Sequence, residues 1–158
     1  MIMLTDSDVS IRLILSVVLG GLIGLERQMN RRNAGLRTNI LVCMGSCLIM
    51  LTSMYVYEMY RHVANLDPSR IAAGVITGIG FLGAGAIIRE RDTIEVRGLT
   101  TAACLWVVSA IGLAVGCGFY SASLTTTLLT LIVLFVLRRF ESAVFKNDCE
   151  KQDKEGKR

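Results

Sequence analysis

Residues 71–88 read IAAGVITGIGFLGAGAII, an 18-residue run without a charged side chain that lies between Arg70 and Arg89. An α-helix rises about 1.5 Å per residue and needs about 20 apolar residues to cross a hydrocarbon core of about 30 Å. The run therefore predicts a membrane-spanning helix. Residues 38–57 supply another 20 uncharged residues, and residues 98–137 supply 40, enough for two spans that separate at 116–121.

The first apolar segment is the shortest, because only residues 13–25 are uncharged. Such a length also fits a re-entrant or interfacial segment. We expect a full span, since Arg12 can extend toward the headgroups and Asp6, Ser7 or Asp8 can cap an earlier helix start. The predicted fold is an all-α membrane protein, a five-span transmembrane helical bundle. It covers residues 1–137, with spans at 8–26, 38–57, 71–88, 98–115 and 119–137, and precedes a charged tail at 138–158.

The composition agrees with a membrane protein, since 53% of the 158 residues are hydrophobic and 19% are charged, with 15 glycines and one proline. Soluble domains carry roughly 25% charged residues, whereas packed membrane helices tolerate glycine well. These proportions exclude a disordered chain, a coiled coil and a disulfide-linked secreted domain. The charges avoid the apolar runs, so the net charge of +4 indicates topology in a lipid bilayer and no nucleic-acid partner.

The distribution of Lys and Arg predicts the orientation, because short cytoplasmic loops carry the excess. With the N-terminus outside and the C-terminus in the cytoplasm, 14 of the 17 basic residues fall in cytoplasmic segments 26–37, 89–97 and 138–158. A four-span bundle that lacks the first segment could keep the same orientation, and the count leaves that alternative open.

Small residues four apart let membrane helices approach closely. The third span has more glycine than packing on a single face requires. Two interpretations stay open: a central helix crossed tightly by neighbours on two sides, or a helix that unwinds to offer carbonyl groups to an ion. The predicted helix-packing residues are Gly20 and Gly24 in the first span, Gly74, Gly78, Gly80, Gly83 and Gly85 in the third, and Ala110 and Ala114 in the fourth.

Ionisable and polar residues converge on the predicted cytoplasmic ends of the spans. An ionisable residue beside a span is a candidate functional residue, although anchoring and ion pairing explain such a ring of charge equally well. Glu26 directly follows an apolar span, so burial would favour an arginine partner for it. The predicted inner-face cluster comprises Glu26, Arg27, Arg37, Thr38, Asn39, Arg89, Glu95, Arg97 and Thr100.

The sequence lacks recognisable catalytic patterns. Cys43 and Cys47 share a helical face but have no histidine or carboxylate in the same span to complete a metal shell, and His62 is the single histidine. No GxxxxGK[ST] phosphate loop occurs, and no nucleophile stands beside a base. We therefore expect neither an enzyme nor a cofactor, and the sequence leaves metal binding open.

Four segments of the chain carry a resemblance to a known family. In order, they are GGLIGLERQ at 20–28, AGLRTNILVCMG at 34–45, RIAAGVITGIGFLGAGAIIRER at 70–91 and VRGLTTAACLW at 96–106. Together they resemble the MgtC/SapB family of bacterial inner-membrane proteins. The resemblance implies a five-span protein of the bacterial cytoplasmic (inner) membrane. It also implies links to growth in low magnesium, survival inside macrophages and modulation of other membrane machines, including the ATP synthase, without establishing magnesium transport.

The family pattern falls on much of the inner-face cluster and of the glycine-rich third span. The sequence departs from it at Asn39, where the family often has histidine, and at Glu95, where a small polar residue is usual. The 21 residues after Leu137 are too few for the cytosolic domain that many members carry. We therefore expect regulation through such a domain to be absent or to come from another protein.

Two functions follow as hypotheses. The first is a non-enzymatic membrane modulator in magnesium or cation homeostasis, whose glycine faces pack against a second copy or another membrane protein while the inner face responds to divalent cations or pH. The alternative is a small oligomeric Mg²⁺ transporter or channel, with Glu26 as its ionisable site. The only acidic residues lie at span ends, which weighs against transport, although backbone carbonyls can also coordinate ions.

Overall fold

The computed structural model describes residues 5–63, 67–89 and 96–155. Within them lie five helices: α1 (Asp6–Met29), α2 (Leu36–Tyr60), α3 (Ser69–Ala86), α4 (Leu99–Gly116) and α5 (Tyr120–Glu155). A short antiparallel pair, β1 (Ile88–Arg89) and β2 (Val96–Arg97), joins α3 to α4. Helices α1 to α4 are long and apolar enough to cross a membrane, and α5 has a shorter apolar part, Tyr120–Val136. An all-α fold with four helices of membrane-spanning length is therefore confirmed, and the fifth span and the orientation stay predictions.

Helix α1 begins earlier than the uncharged run because Thr5 caps it. The Thr5 hydroxyl accepts from the Asp8 backbone N–H at 3.3 Å, and the Asp8 carboxylate accepts from the Thr5 backbone N–H at 3.2 Å. This capping box satisfies backbone donors that the first turn of a helix leaves open. The predicted caps Asp6, Ser7 and Asp8 were wrong, since all three lie inside the helix. The cap extends α1 to 24 residues, so that it is long enough to span.

The core lies where α1, α2 and α4 meet. Gly20 and Gly24 of α1 face α2: a Cβ at Gly20 would lie 2.7 Å from the Cys43 Cβ, and one at Gly24 would lie 2.8 Å from the Leu36 Cα. Helix α4 approaches α2 as closely, through Gly112 and Gly116. The fully buried side chains between these helices are small or branched: Ser16, Ile23, Cys43, Cys47, Val108, Ser109, Ile111 and Val115.

The contact face of α4 differs from the predicted one. A Cβ at Gly112 would collide with the Cys43 carbonyl oxygen, so this glycine is required. The Ser46 hydroxyl donates to Ser109 at 3.1 Å on the same face. Ala110 and Ala114, which the small-residue spacing indicates, are only partly buried. Helix α4 therefore contacts α2 through Ser109, Gly112 and Gly116, and the two glycines allow a closer approach than alanine would.

Helix α3 lies at the periphery and rests on α4. Its buried contacts are Ile79, which packs in one cluster with Leu105, and Gly83, where a Cβ would lie 3.6 Å from that of Ala102. Helix α2 also contacts α3. Within the described part of the chain, however, no atom lies within 4 Å of a Cβ built at the other four predicted packing glycines, Gly74, Gly78, Gly80 and Gly85.

Two features near α5 go beyond the sequence pattern. Arg12 turns inward: it is 9% exposed, and its Nη1 donates to the Gly116 carbonyl at the end of α4. Helix α5 continues past residue 137 as one helix to Glu155. The turn between α4 and α5 falls at residues 117–119, within the predicted break, and Gly118 adopts a φ of +84° there.

Candidate functional site

The candidate site lies where α1 ends and α2 begins, and we call it the hairpin cluster. Gly24 lets the two helices converge there. Polar side chains from the last turn of α1 then meet the first turn of α2 and the loop between them. The cluster comprises Glu26, Arg27 and Asn30 together with Asn39 and the loop carbonyls of Ala34 and Gly35.

An ion pair forms the α1 side of the hairpin cluster. The Arg27 Nε donates to Glu26 Oε2 at 2.5 Å, and the two side chains are 4% and 13% exposed. The Asn30 Nδ2 donates to the second carboxylate oxygen, Oε1, also at 2.5 Å. Both oxygens of Glu26 are thus engaged. A buried pair of this kind resists the loss of either partner, because the remaining charge would be left without compensation.

Asn39 forms the α2 side, and it has no exposed surface. Its Nδ2 donates to the Ala34 carbonyl at 2.9 Å and to the Gly35 carbonyl at 2.8 Å. This fixes the amide orientation, because the reverse would set Oδ1 against two carbonyl oxygens. Within the described residues Oδ1 has no hydrogen-bond partner. A buried acceptor of this kind costs about 1–3 kcal/mol, so Asn39 offers an unused oxygen in the cluster.

The loop conformation brings these groups together. The Gln28 side-chain oxygen accepts from the Leu36 backbone N–H at 3.2 Å, which satisfies a free donor of the first turn of α2. Arg31 takes a left-handed φ of 53°, and the Arg32 N–H returns to the Arg27 carbonyl at 3.0 Å. Sequence reasoning missed Gln28 and Asn30. Their only signal is that they are amides within one turn of the charged end of an apolar span.

The other described residues of the predicted cluster lie on α2, the strand pair and α4. Arg37, Thr38 and Thr100 are exposed, while the neighbouring Thr101 is buried in place of Thr100. The backbone of Arg89 pairs with Val96, and Arg97 lies in β2 opposite Ile88. Glu95 lies outside the described residues. Of the predicted cluster, Glu26 and Arg27 contact each other at the end of α1, and Asn39 contacts the loop carbonyls at the start of α2.

The second hairpin closes through a glycine turn at Gly98. Gly98 takes a φ of +98°, and a Cβ there would collide with the Ala86 carbonyl oxygen. Only glycine accommodates that backbone and that approach. The turn therefore sets the start of α4 close to the end of α3.

The chemistry available at the hairpin cluster is ionic and hydrogen-bonding. In the part of the chain that the structure describes, no three His, Cys, Asp or Glu side chains are placed to hold a metal ion. Another cation can compete with Arg27 for the Glu26 carboxylate, and the Asn39 Oδ1 can accept a hydrogen bond.

The chain is similar in sequence to known proteins over most of its length. The model of the MgtC family matches residues 13–143. The chain is 48% identical over 132 residues to YhiD of Escherichia coli K12, whose name designates a proposed magnesium transporter. It is 44% identical over 128 residues to the protein MgtC of Salmonella typhimurium LT2, and 36% identical over 130 residues to the protein SapB of Bacillus subtilis. No solved structure matches the chain.

The matched regions cover most of this chain but only part of each relative. They include 82% of this chain and 60% of YhiD, 81% and 52% for MgtC, and 80% and 55% for SapB. The chain therefore spans little more than half the length of these relatives. The shared part is the helical bundle described above.

Proposed function

The chain belongs to the MgtC family, and from that premise we propose that it is a non-enzymatic modulator of another protein in the bacterial inner membrane. We assign this modulation to magnesium or cation homeostasis under stress. The observation that carries the proposal is the uncovered glycine face of α3. An ATP synthase is one partner consistent with the family resemblance.

The glycine face is defined by Gly74, Gly78, Phe81 and Gly85, which recur at steps of four, three and four residues. Such spacing places them on one side of α3. Phe81 is 83% exposed, and no described atom lies near a Cβ built at the three glycines. A helix surface that faces lipid tails gains nothing from glycine in place of leucine. A surface that contacts a second helix needs small residues for close packing. The face therefore suits a partner helix better than lipid.

The hairpin cluster supplies the proposed input. A divalent cation or a proton at the Glu26 carboxylate would compete with Arg27 and weaken the ion pair. Because Gly24 brings α1 and α2 together just before this pair, a weaker pair would alter the packing of α1 on α2. Helix α2 also contacts α3, so the change can reach the glycine face.

Complementation with paired variants tests the proposal. Gly78→Leu adds a large side chain to the glycine face, whereas Gly45→Leu adds the same side chain to α2 at a glycine that also has no described neighbour within 4 Å. Both proteins should insert and remain monodisperse. We expect Gly78→Leu to lose growth in low magnesium and Gly45→Leu to retain it. Equal growth of the two strains would contradict a partner on this face.

Cation transport is the second candidate, and the name of YhiD favours it. Against it, both oxygens of Glu26 are already bound to Arg27 and Asn30. Liposomes with an entrapped magnesium-sensitive dye distinguish the two functions. The modulator predicts no flux above that of empty liposomes from folded protein. Flux that disappears in Glu26→Gln would replace the modulator with a transporter.

A further inference from the structure

Asn39 carries an acceptor oxygen that the described contacts leave unused. Its side chain has no exposed surface, and its Nδ2 group is held by the Ala34 and Gly35 carbonyls, so the position of Oδ1 is fixed. Among the residues that the structure describes, no donor bonds to this oxygen. Buried polar atoms without a partner are costly and rare. The oxygen therefore suits a donor that reaches it in another state of the protein.

Arg27 is a buried donor on the part of α1 that faces Asn39. Gly24, three residues earlier, packs on α2: a Cβ there would lie 3.0 Å from the Asn39 Cβ. Residues three apart on a helix have Cβ atoms about 5–6 Å apart, so the Arg27 Cβ lies within about 9 Å of the Asn39 Cβ. A helical side chain covers the turn before its own Cα, which directs Arg27 toward Gly24. The guanidinium can therefore reach the Asn39 oxygen.

The guanidinium of Arg27 has more donors than its present contact uses. It carries five N–H groups, and within the described residues the structure gives a partner to its Nε, which donates to Glu26. The side chain is 4% exposed, so little of it meets solvent. Cys104 of α4 interacts electrostatically with both Glu26 and Arg27, which places the pair beside a third helix. If Glu26 releases Arg27, the guanidinium needs another acceptor inside the bundle.

We propose that Arg27 has two positions in the hairpin cluster: bonded to Glu26, and bonded to the Asn39 Oδ1 when a divalent cation neutralises Glu26. The inference rests on the proposed input at Glu26 and gives its mechanism. In the first position the pair lies within α1, and in the second position Arg27 bonds α1 to α2. Asn39 lowers the cost of the release, because a buried guanidinium would otherwise be left unpaired. Without the cation the carboxylate is the stronger partner.

A double-mutant cycle in the full chain, purified in detergent, tests the second position without any cation. Glu26→Met removes both carboxylate oxygens and so imitates the release of Arg27. Arg27→Gln and Asn39→Leu are combined in the presence of Glu26 and again with Glu26→Met. Each thermal midpoint is followed through the fluorescence of Trp106. The control cycle uses Arg61→Gln in place of Arg27→Gln, since Arg61 follows the far end of α2 and lies outside the hairpin cluster.

The two backgrounds should give different cycles. With Glu26 present, the losses in midpoint from Arg27→Gln and Asn39→Leu should nearly add, because the two residues are not bonded. With Glu26→Met, the double variant should lose less than the sum by about 3 °C or more, since either change alone breaks the same hydrogen bond. The Arg61→Gln cycle should be additive in both backgrounds. Additive losses with Glu26→Met, or equal non-additivity in the two backgrounds, would overturn the proposal.

A second variant and a cation titration complete the test. If Asn39→Leu does not fold, Asn39→Ser replaces it, because a serine hydroxyl can still donate to a loop carbonyl but is too short to reach Arg27. Mg²⁺ should shift the wild-type midpoint, and Asn39→Leu should weaken that response severalfold, which supports both the input and the second position. No shift with Mg²⁺ in wild type would overturn the cation as the trigger, and a non-additive cycle would still support the second position of Arg27.

Discussion

The hairpin of α1 and α2 and the hairpin of α3 and α4 both contain glycines four residues apart, yet they are packed differently. In the first, Gly20 and Gly24 lie against α2 at distances that leave no room for a Cβ. In the second, Gly74 and Gly78 face no described atom within 4 Å, and Gly83 alone approaches α4. The spacing of small residues therefore indicates that a surface can be approached closely, and it does not say whether the neighbour belongs to the same chain.

The turns of the two hairpins are also built differently. The first hairpin buries the pair of Glu26 and Arg27 and the amide of Asn39. The second hairpin has a glycine turn at Gly98. The first hairpin thus packs its glycines inside the bundle, and α3 of the second presents open glycines.

The largest expected effect on stability comes from the ion pair. Arg27→Gln should lower the free energy of unfolding by about 3–5 kcal/mol, because the largely buried Glu26 carboxylate would lose its cationic partner. The double variant Glu26→Gln/Arg27→Gln should recover part of this loss. Thermal unfolding of the purified proteins measures both. If single and double variants unfold alike, the two residues do not act as a pair.

A smaller effect separates the glycines of the packed core. Gly112→Ala should destabilise the protein by about 1–3 kcal/mol, since the added Cβ would meet the Cys43 carbonyl and force α2 and α4 apart. The matched change Gly45→Ala adds a Cβ in open space on α2 and should not destabilise the protein. The measurement is again the thermal midpoint, with the monodisperse fraction in detergent. Equal thermal midpoints for Gly112→Ala and Gly45→Ala would contradict the close approach of α2 and α4.

The smallest effect has the opposite sign. Gly78→Ala should leave the fold intact and raise stability by about 0.5–1 kcal/mol, because alanine is the better helix former and its Cβ meets no described atom. Destabilisation of the purified monomer by Gly78→Ala would show that the glycine face already contacts the rest of this chain.

The sequence predicts the class of fold well, because charge-free runs of sufficient length have few alternatives in a membrane protein. The four long apolar helices and the family follow from that pattern and from the four motif segments. The pairing of Glu26 with an arginine is also predictable from the apolar run before it, although its identity as Arg27 required the structure.

Other features depend on three-dimensional packing. The inward turn of Arg12 depends on where α4 ends, which lies 104 residues away in the chain. The contact face of α4 depends on Gly112 meeting the Cys43 carbonyl, and spacing alone selected Ala110 and Ala114. The unused oxygen of Asn39 appears only once its amide is held by the Ala34 and Gly35 carbonyls. Local patterns report which residues are small or charged, and the long-range contacts decide what they touch.

Photo-crosslinking from the glycine face in native membranes tests directly whether α3 contacts a partner protein. A photoreactive amino acid at Phe81 of α3 is compared with one at Leu41 of α2, which is also well exposed. We predict that residue 81 captures another membrane protein, that magnesium concentration changes the yield, and that residue 41 does not capture it. Adducts at residue 81 with a second copy alone would make the face a self-association surface. Equal yields at both positions, or adducts at neither, would contradict the claim that α3 presents a partner surface.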